Sequence, residues 1–368
     1  MQILQADRDA LLKPLNAVTG IVERRHTLPI LANVLIEKQG DTLSFLATDL
    51  EIQITTASTG DIAGGNFRLT TSAKKLQDIL RAISDKTTVT LERDDNRLTL
   101  KAGKSRFNLQ TLPAEDFPVI SVSQDTLATL SLPQKAFKEL LSRVQYAMAV
   151  QDIRYYLNGL LFVTEGNQVR LIATDGHRLA YACMTVEGTL PKAEAILPRK
   201  TITELAKLLG DHDEPLAVEL LGNQVRFRFG QTTIVSKVVD GKFPDYNRVI
   251  PLDNDKIFLL DRVAFQHALQ RAAILANEKF RGVRLSLQSG RMSIVCNNSE
   301  QEEAEEELEI AYEGGSLEIG FNINYLLDVL NNLPIDTVQL AFGDPTRSAL
   351  FTIPDNPNFK YIVMPMRI

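Results

Sequence analysis

The sequence predicts an α+β protein made of three repeated domains, each with two helices and antiparallel β-sheet. Three observations carry that prediction. Ala47-Thr48-Asp49 recurs as Ala173-Thr174-Asp175, and Phe117-Pro118 recurs as Phe243-Pro244, both at a spacing of 126 positions. A weaker third copy, Cys296-Asn297-Asn298, follows after another 123 positions. Solenoid repeats usually run about 20–50 residues, so a period this long is a whole domain. The chain of 368 residues also divides evenly, since three units of about 120 residues fall near the commonest domain size. The boundaries are placed at 1–125, 126–252 and 253–368.

Each copy opens with an amphipathic helix. Its apolar stripe is Leu11, Leu15, Val18 and Val22 in the first copy. In the second it is Phe137, Leu140, Val144 and Met148, and in the third Phe265, Leu269 and Ala272. Spacings of three and four put such residues on one helix face. Pro14 lies inside the first stripe, so a kink or a late start is expected there. A hairpin follows, with turns at Gln39-Gly40-Asp41, Glu165-Gly166-Asn167 and Gln288-Ser289-Gly290. In the second copy its arms are Leu157–Thr164 and Val169–Ala173. Second helices are predicted over Ala73–Ile83, Lys200–Leu209 and Asn322–Leu333, introduced by Ser72, Pro198 and Asn322. Alternating strands close each copy, such as Thr88–Leu91 with Leu98–Lys101 and Ala217–Leu221 with Val225–Phe229. Met1–Gln5 alternates like a strand and lacks the basic-then-apolar pattern of a signal peptide.

Composition narrows the function classes. With 44% hydrophobic residues each domain can bury a core, and no apolar run reaches the roughly 18 residues of a membrane span. Two cysteines, Cys183 and Cys296, sit in different copies, which suits reduced thiols and a cytoplasmic location. Catalytic motifs are missing. Gly103-Lys104-Ser105 resembles the end of a phosphate loop, but Leu98 stands where the first glycine is required. Asp175-Gly176-His177-Arg178 can be read as an acid–base pair of a hydrolase, or as a tight glycine turn with polar side chains facing a groove. Neither metal-ligand spacing nor a cofactor motif is present, so no metal and no cofactor are expected.

Five segments carry a family resemblance. They are Gln151-Asp152-Ile153-Arg154-Tyr155-Tyr156-Leu157-Asn158-Gly159, Ala173-Thr174-Asp175-Gly176-His177-Arg178-Leu179-Ala180, Lys237-Val238-Val239-Asp240-Gly241-Lys242-Phe243-Pro244-Asp245-Tyr246, Gln301-Glu302-Glu303-Ala304-Glu305-Glu306 and Val363-Met364-Pro365-Met366-Arg367. In this order they resemble the bacterial sliding clamps, the β subunits of DNA polymerase III. The likeness runs from Leu11-Leu12-Lys13-Pro14-Leu15 to the last residue. It implies a DNA clamp fold and a head-to-tail homodimer whose six domains close a ring around duplex DNA. Twelve helices of about 10 Å diameter side by side would leave a hole of about 28 Å, wider than a duplex.

A net charge of −6 is unusual for a DNA-binding chain. The charge is unevenly spread, however. Lys74, Lys75 and Arg81 outnumber Asp78 in one second helix, and Arg199, Lys200 and Lys207 outnumber Glu204 in another. Lys135, Lys138 and Arg143 outnumber Glu139 in a first helix. Read alone, each is the solvated face of an amphipathic helix. Together they suit a basic lining that attracts phosphates without reading bases. The resemblance assigns DNA contacts to Arg25, Lys74, Gln151, Tyr155, Tyr156 and Lys200. The adjacent tyrosines are equally compatible with strand-edge core positions.

The acidic run from Glu302 to Glu307 is an ordinary solvated surface on composition alone. The resemblance places Glu302, Glu303, Glu305 and Glu306, with the apolar Ile274 and Leu275, on one side of the dimer interface. Lys104, Arg106, Phe107 and Leu109 form the other side.

A groove for partner peptides is implied between the second and third domains. Its matching positions in the second are Leu157, Thr174, Gly176, His177, Arg178 and Leu179. Pro244, Arg248 and Val249 follow in the connection, and Asn322 and Tyr325 belong to the third. The tail Ile362-Val363-Met364-Pro365-Met366-Arg367-Ile368 completes it. Pliable methionines suit a site that serves many partners. The other reading of Met364 and Met366 is a buried final strand, which Pro365 disfavours.

The expected function is therefore that of a non-catalytic processivity factor. It would tether the DNA polymerase III catalytic subunit and other replication and repair proteins that carry clamp-binding motifs, and be loaded by a clamp loader that consumes the ATP. An open three-domain adaptor that binds peptides without encircling DNA is the alternative.

Overall fold

The computed structural model describes residues 1–23, 27–58 and 62–367. They gather into two compact units, Met1–Ala136 with Lys200–Val238 and Phe137–Arg199 with Val239–Ile368. Neither unit coincides with a single repeat, because strand pairing carries each sheet across a repeat boundary.

Six α-helices occur among the described residues: α1 (Arg8–Val18), α2 (Ala73–Ala82), α3 (Gln134–Ser142), α4 (Arg199–Leu208), α5 (Arg262–Ala272) and α6 (Ile323–Asn332). They are the expected two per repeat, the first of each from its apolar stripe and the second from its start residue. Asp7, Asp261 and Asn322 cap α1, α5 and α6 by accepting from Asp9 N, Ala264 N and Asn324 N, which satisfies amides that the helix leaves unpaired. Ser72 occupies the corresponding position before α2 without a side-chain cap bond. The late start expected from Pro14 does not occur, since α1 begins six residues earlier at Arg8. Proline lacks the N–H that would bond Ala10 O. Ser58 Oγ donates to that carbonyl instead, at 2.6 Å. Val22, Val144 and Met148 fall beyond their helices, flanking the short 3-10 turns Thr19–Ile21 and Gln145–Ala147.

In the first unit one antiparallel sheet of thirteen strands holds everything together. Its order runs from Thr126–Pro133 through Pro215–Leu221, Gln224–Phe229 and Thr232–Lys237 to Ile52–Ser58. It continues through Thr42–Thr48, Asn33–Gln39, Phe67–Ser72, Ser105–Leu112, Arg97–Ala102, Thr88–Asp94 and Gln2–Asp7 to Ile62–Ala63. Strands alternate between core and solvent, as their period of two demands. Ala128, Leu130 and Leu132 are buried while Thr129, Ser131 and Pro133 face out. The seam between repeats one and two is the pair Ile52–Ser58 with Thr232–Lys237, in register from Ile52↔Ser236 to Thr56↔Thr232.

The second unit has a six-stranded and a four-stranded sheet. Gly159–Thr174 and Arg178–Pro198 are each continuous extended segments, longer than the separate hairpin arms expected, and Tyr155–Leu157 is a 3-10 turn, not the start of a strand. The expected fold-back is nevertheless present. Leu161 and Ile172 pack in one cluster with Val163, Leu179 and Ile196, whereas a straight strand would hold Leu161 and Ile172 about 36 Å apart. Gly166 and Gly188, with φ of 61° and 83°, supply the reversals. Arg178–Pro198 then pairs with the final strand Asn356–Val363, from Arg178↔Val363 to Ala182↔Phe359. This is the repeat-two-to-three counterpart of the first seam.

Among the strand edges without a full mate, two lie at opposite ends of the repeat series, in repeats one and three. Glu303–Glu309 ends the four-stranded sheet. Ser105–Leu112 pairs fully with Arg97–Ala102, but on its other side only Thr111 and Leu112 are matched, by Thr71 and Thr70.

Candidate functional site

The repeated Thr-Asp pair turns out to be a turn lock. In repeat one Thr48 Oγ1 donates to Ile52 O at 2.9 Å and accepts from Leu50 N at 3.0 Å. Asp49 Oδ1 accepts from Glu51 N and Ile52 N at 2.9 and 2.8 Å. The same four bonds recur in repeat two. Thr174 Oγ1 joins Arg178 O and Gly176 N at 2.6 and 3.0 Å, and Asp175 Oδ1 accepts from His177 N and Arg178 N at 2.9 and 3.1 Å. In the third copy Asn298 Oδ1 accepts from Glu300 N and Glu302 N. Short polar side chains of this kind mimic a backbone turn. Asp175 spends its other oxygen on Arg178 Nε at 3.1 Å, so it serves as a cap and not as a base for His177.

On this turn stands an apolar groove within the second unit. A cavity of about 190 Å³ is lined by Leu157, Thr174, Gly176, Arg178, Leu179, Pro244, Val249, Ile362 and Met364, all expected from the sequence, together with Arg154, Tyr156 and Tyr246. Its floor is the cluster of Leu161, Val163, Ile172, Leu179, Ile196, Phe243 and Ile362. Gly176 has φ of 89°, a conformation that only glycine adopts at little cost. A side chain there would also meet the Arg154 guanidinium, 2.8 Å from the position of a Cβ. Arg154 is itself held by both oxygens of Asp152, at 3.0 and 2.8 Å, and donates to Asp175 O at 3.0 Å. That pairing draws the Asp152 carboxyl down to about 2.

Arg178 props the wall of the groove. Its guanidinium pairs with Asp175 and with Asp328 of α6, donates to Tyr146 O at 2.7 Å, and stacks over Tyr325 with 4.5 Å to the ring centre. Burial disfavours the charge, but Tyr361 and Asp328 outweigh it and the pKa rises further. His177 lies nearly parallel to Tyr325, 6.4 Å between ring centres. These two rings border a separate cavity of about 510 Å³ with Tyr146, Asp152 and Arg199.

The remaining groove positions disperse. Arg248 is 86% exposed and pairs with Asp245. Asn322 caps α6, and Val363 is buried as the end of the last strand. That strand stops at Val363, as Pro365 suggests, and leaves Met364 40% exposed. Met364 N donates to His177 O and Met366 N to Gly320 O, both at 2.9 Å. Met366 and Arg367 line a third cavity, of about 340 Å³, with Phe280 and Asn298. Ile368, like Arg25, lies outside the described residues.

Among the expected DNA contacts, Lys74 is half-buried beside Gln77, 3.5 Å away, and Gln151 is exposed with φ of 54°. The tyrosines occupy a 3-10 turn, edge to face at 5.8 Å. Tyr155 is 58% exposed, whereas Tyr156 packs on the groove cluster. Lys200 is bound to Asp49 and Glu23.

Comparison with known proteins decides the family. Models of the DNA polymerase III beta subunit match its N-terminal domain to residues 2–121, its central domain to 131–245 and its C-terminal domain to 247–367. The chain belongs to the beta sliding clamp family. It is similar to the beta sliding clamps of Pseudomonas putida and Escherichia coli K12, with 46% and 42% identity over 98% of this chain and 98% and 99% of those relatives. The crystal structure of the DNA polymerase III subunit beta from Pseudomonas aeruginosa superposes with a TM-score of 0.94, at 44% identity and full coverage of both chains.

Three clamp domains of helices and antiparallel sheet are thus the architecture, and a DNA sliding clamp, a non-catalytic subunit of the polymerase III assembly, is the function. Clamp residues that sequence reading missed are mostly second partners. Arg154, Tyr146, Asp328 and Tyr361 act by holding Gly176, Arg178 and Tyr325. Arg154 lies in the segment Gln151–Gly159, where only its spacing from Asp152 hints at a pair, and Tyr146, Asp328 and Tyr361 lie in none of the five segments.

Proposed function

We propose that this clamp closes as a head-to-tail homodimer through the edges of Glu303–Glu309 and Ser105–Leu112, and that duplex DNA passes through the ring. The observation that carries the proposal is the seam the chain uses twice internally. Within the chain, Gln53 faces Val235, Ile54 faces Ile234 and Thr55 faces Thr233. The hairpin pair Thr48↔Gln53 corresponds to Asn297↔Glu303, and Phe229↔Thr232 corresponds to Ala102↔Ser105. Carrying the seam over by these matches sets Glu303 opposite Asn108, Ala304 opposite Phe107 and Glu305 opposite Arg106. Charge meets charge and apolar meets apolar, which favours register and rate of association. Ile274, 78% exposed, and Leu275 supply apolar area beside that edge. Leu109, only 7% exposed, supports it from the core.

The repeat boundaries are taken at 125/126 and 252/253. Lys74, Gln151, Tyr155 and Lys200, with the outlying Arg25, are assigned to the DNA side, and Tyr156 to both the DNA side and the groove wall. The groove accepts short apolar segments of the polymerase III catalytic subunit, of a clamp loader and of other replication and repair proteins, in the cytoplasm. No helix among the described residues is long and apolar enough to cross a membrane. Tethering raises the local concentration of polymerase at the primer end.

Retention on DNA tests this reading. The protein is loaded on a nicked circular plasmid with a bacterial clamp loader and ATP, the plasmid is linearised, and bound protein is followed by gel filtration. Retention on circles with loss from linear molecules is expected. Equal loss or equal retention would reject encirclement and leave an open peptide-binding adaptor.

A further inference from the structure

Lys200 keeps company that a free phosphate contact would not. Its ammonium lies 2.5 Å from Asp49 Oδ2 and 2.9 Å from Glu23 Oε1. Burial lowers its pKa, but the two carboxylates outweigh burial and hold the group charged. One cation shared between two anions gives the triad itself a net negative charge, so its ammonium is already satisfied when a phosphate approaches.

The two carboxylates are not equivalent. Asp49 is only 11% exposed and is fixed by the amides of Glu51 and Ile52. It is available to Lys200 because repeat one has Ile52 where repeat two has Arg178, the residue that takes the matching oxygen of Asp175. Glu23 is 54% exposed and follows the 3-10 turn Thr19–Ile21 on a stretch without regular structure. Among the described residues its carboxylate has no partner other than Lys200.

We propose that Glu23 is a shielding residue: its carboxylate occupies the Lys200 ammonium, a DNA phosphate must displace it to make contact, and the grip on duplex is loosened accordingly. The proposal rests on the assignment of Lys200 to the DNA side. Asp49 stays in place during the exchange, so the swap is one anion for another on a single ammonium, and the displaced Glu23 carboxylate, 54% exposed, is left to water. A sliding protein gains from such an arrangement, because the release of each phosphate is helped by a carboxylate that takes its place.

A double-mutant cycle with the full-length protein tests it. Binding of a short fluorescent duplex is measured for the unaltered protein, Glu23→Gln, Lys200→Gln and the double variant, at low and moderate salt. Glu23→Gln is expected to tighten binding about two- to fivefold, the range for a partly exposed ion pair, and to have no effect once Lys200 is Gln. A Lys200→Arg protein, which keeps the cation and its tie to Asp49, is expected to retain the sensitivity to Glu23→Gln, and thermal unfolding of each variant verifies folding. No change in Glu23→Gln, or an equal gain with and without Lys200, would overturn the shielding. If Lys200→Gln and Lys200→Arg leave duplex binding untouched in both backgrounds, the placement of Lys200 on the DNA side is what fails.

Discussion

Arg178 shows how far a single side chain can shape this clamp. Its side chain is 9% exposed, and its charge is answered by Asp175 and Asp328 on separate elements. Removing one member of a buried ion network strands the others, so Arg178→Ala is expected to cost about 2–4 kcal/mol in urea unfolding. Arg178→Lys is expected to recover only part, because an ammonium lacks the planar fork that reaches both carboxylates. Gly176→Ala forces a side chain into φ of 89° and against Arg154. A loss of about 1–2 kcal/mol in stability is expected, with weaker capture of a clamp-binding peptide in a calorimetric titration. Tyr181 adds a pH dependence. Burial, then Cys183, pushes its hydroxyl up to about 12, whereas an unfolded tyrosine ionises near 10. The unfolded chain therefore releases this proton first. The stabilisation is complete below about pH 10 and is lost as pH rises toward 12. Urea midpoints measured across that window should fall, and Tyr181→Phe should flatten the fall.

At the scale of elements, the two seams and the two open edges belong to one design. A strand edge left unpaired is a template for another chain, and here the internal seams indicate which chain and in what register. Arg106→Glu is expected to shift the protein toward monomer in sedimentation velocity. Adding Glu305→Arg should restore the dimer, because the reversed pair is again opposite in sign. Failure of that rescue would show that the register differs from the internal seam. The three first helices were readable from apolar spacing and the three second helices from their start residues Ser72, Pro198 and Asn322, since neither signal needs tertiary information. The hairpin at Gly166 was readable from its turn residues, but not the continuity of Gly159–Thr174 and Arg178–Pro198. That continuity depends on mates contributed by the other arm and by residues far along the chain. Pro14 misled for a related reason: the repair of its lost hydrogen bond comes from Ser58, 48 positions away.

The whole molecule joins two compact units that cut across its three repeats. All eight tyrosines fall in the unit formed by Phe137–Arg199 and Val239–Ile368, and the chain has no tryptophan. Tyrosine fluorescence therefore reports on that unit alone, while far-ultraviolet circular dichroism reports on both. In urea the two signals are expected to give separate transitions, as structures with independent cores do. Coincident transitions would mean that the two units unfold as one.

What the amino-acid sequence determined by itself was the repeat, the six helices and the family, because each is written in local spacing or in contiguous motifs. The groove was half visible. Leu157, Leu179 and Met364 could be named from contiguous segments, yet Tyr146 and Asp328 could not. Tertiary structure alone decided that Asp175 is a cap, that Arg178 ties the groove wall to α6, and that Lys200 is shared between Asp49 and Glu23. These are pairings of charges more than a hundred residues apart in most cases. A charged side chain takes whichever opposite charge the fold brings within reach, and chain order carries no record of that distance.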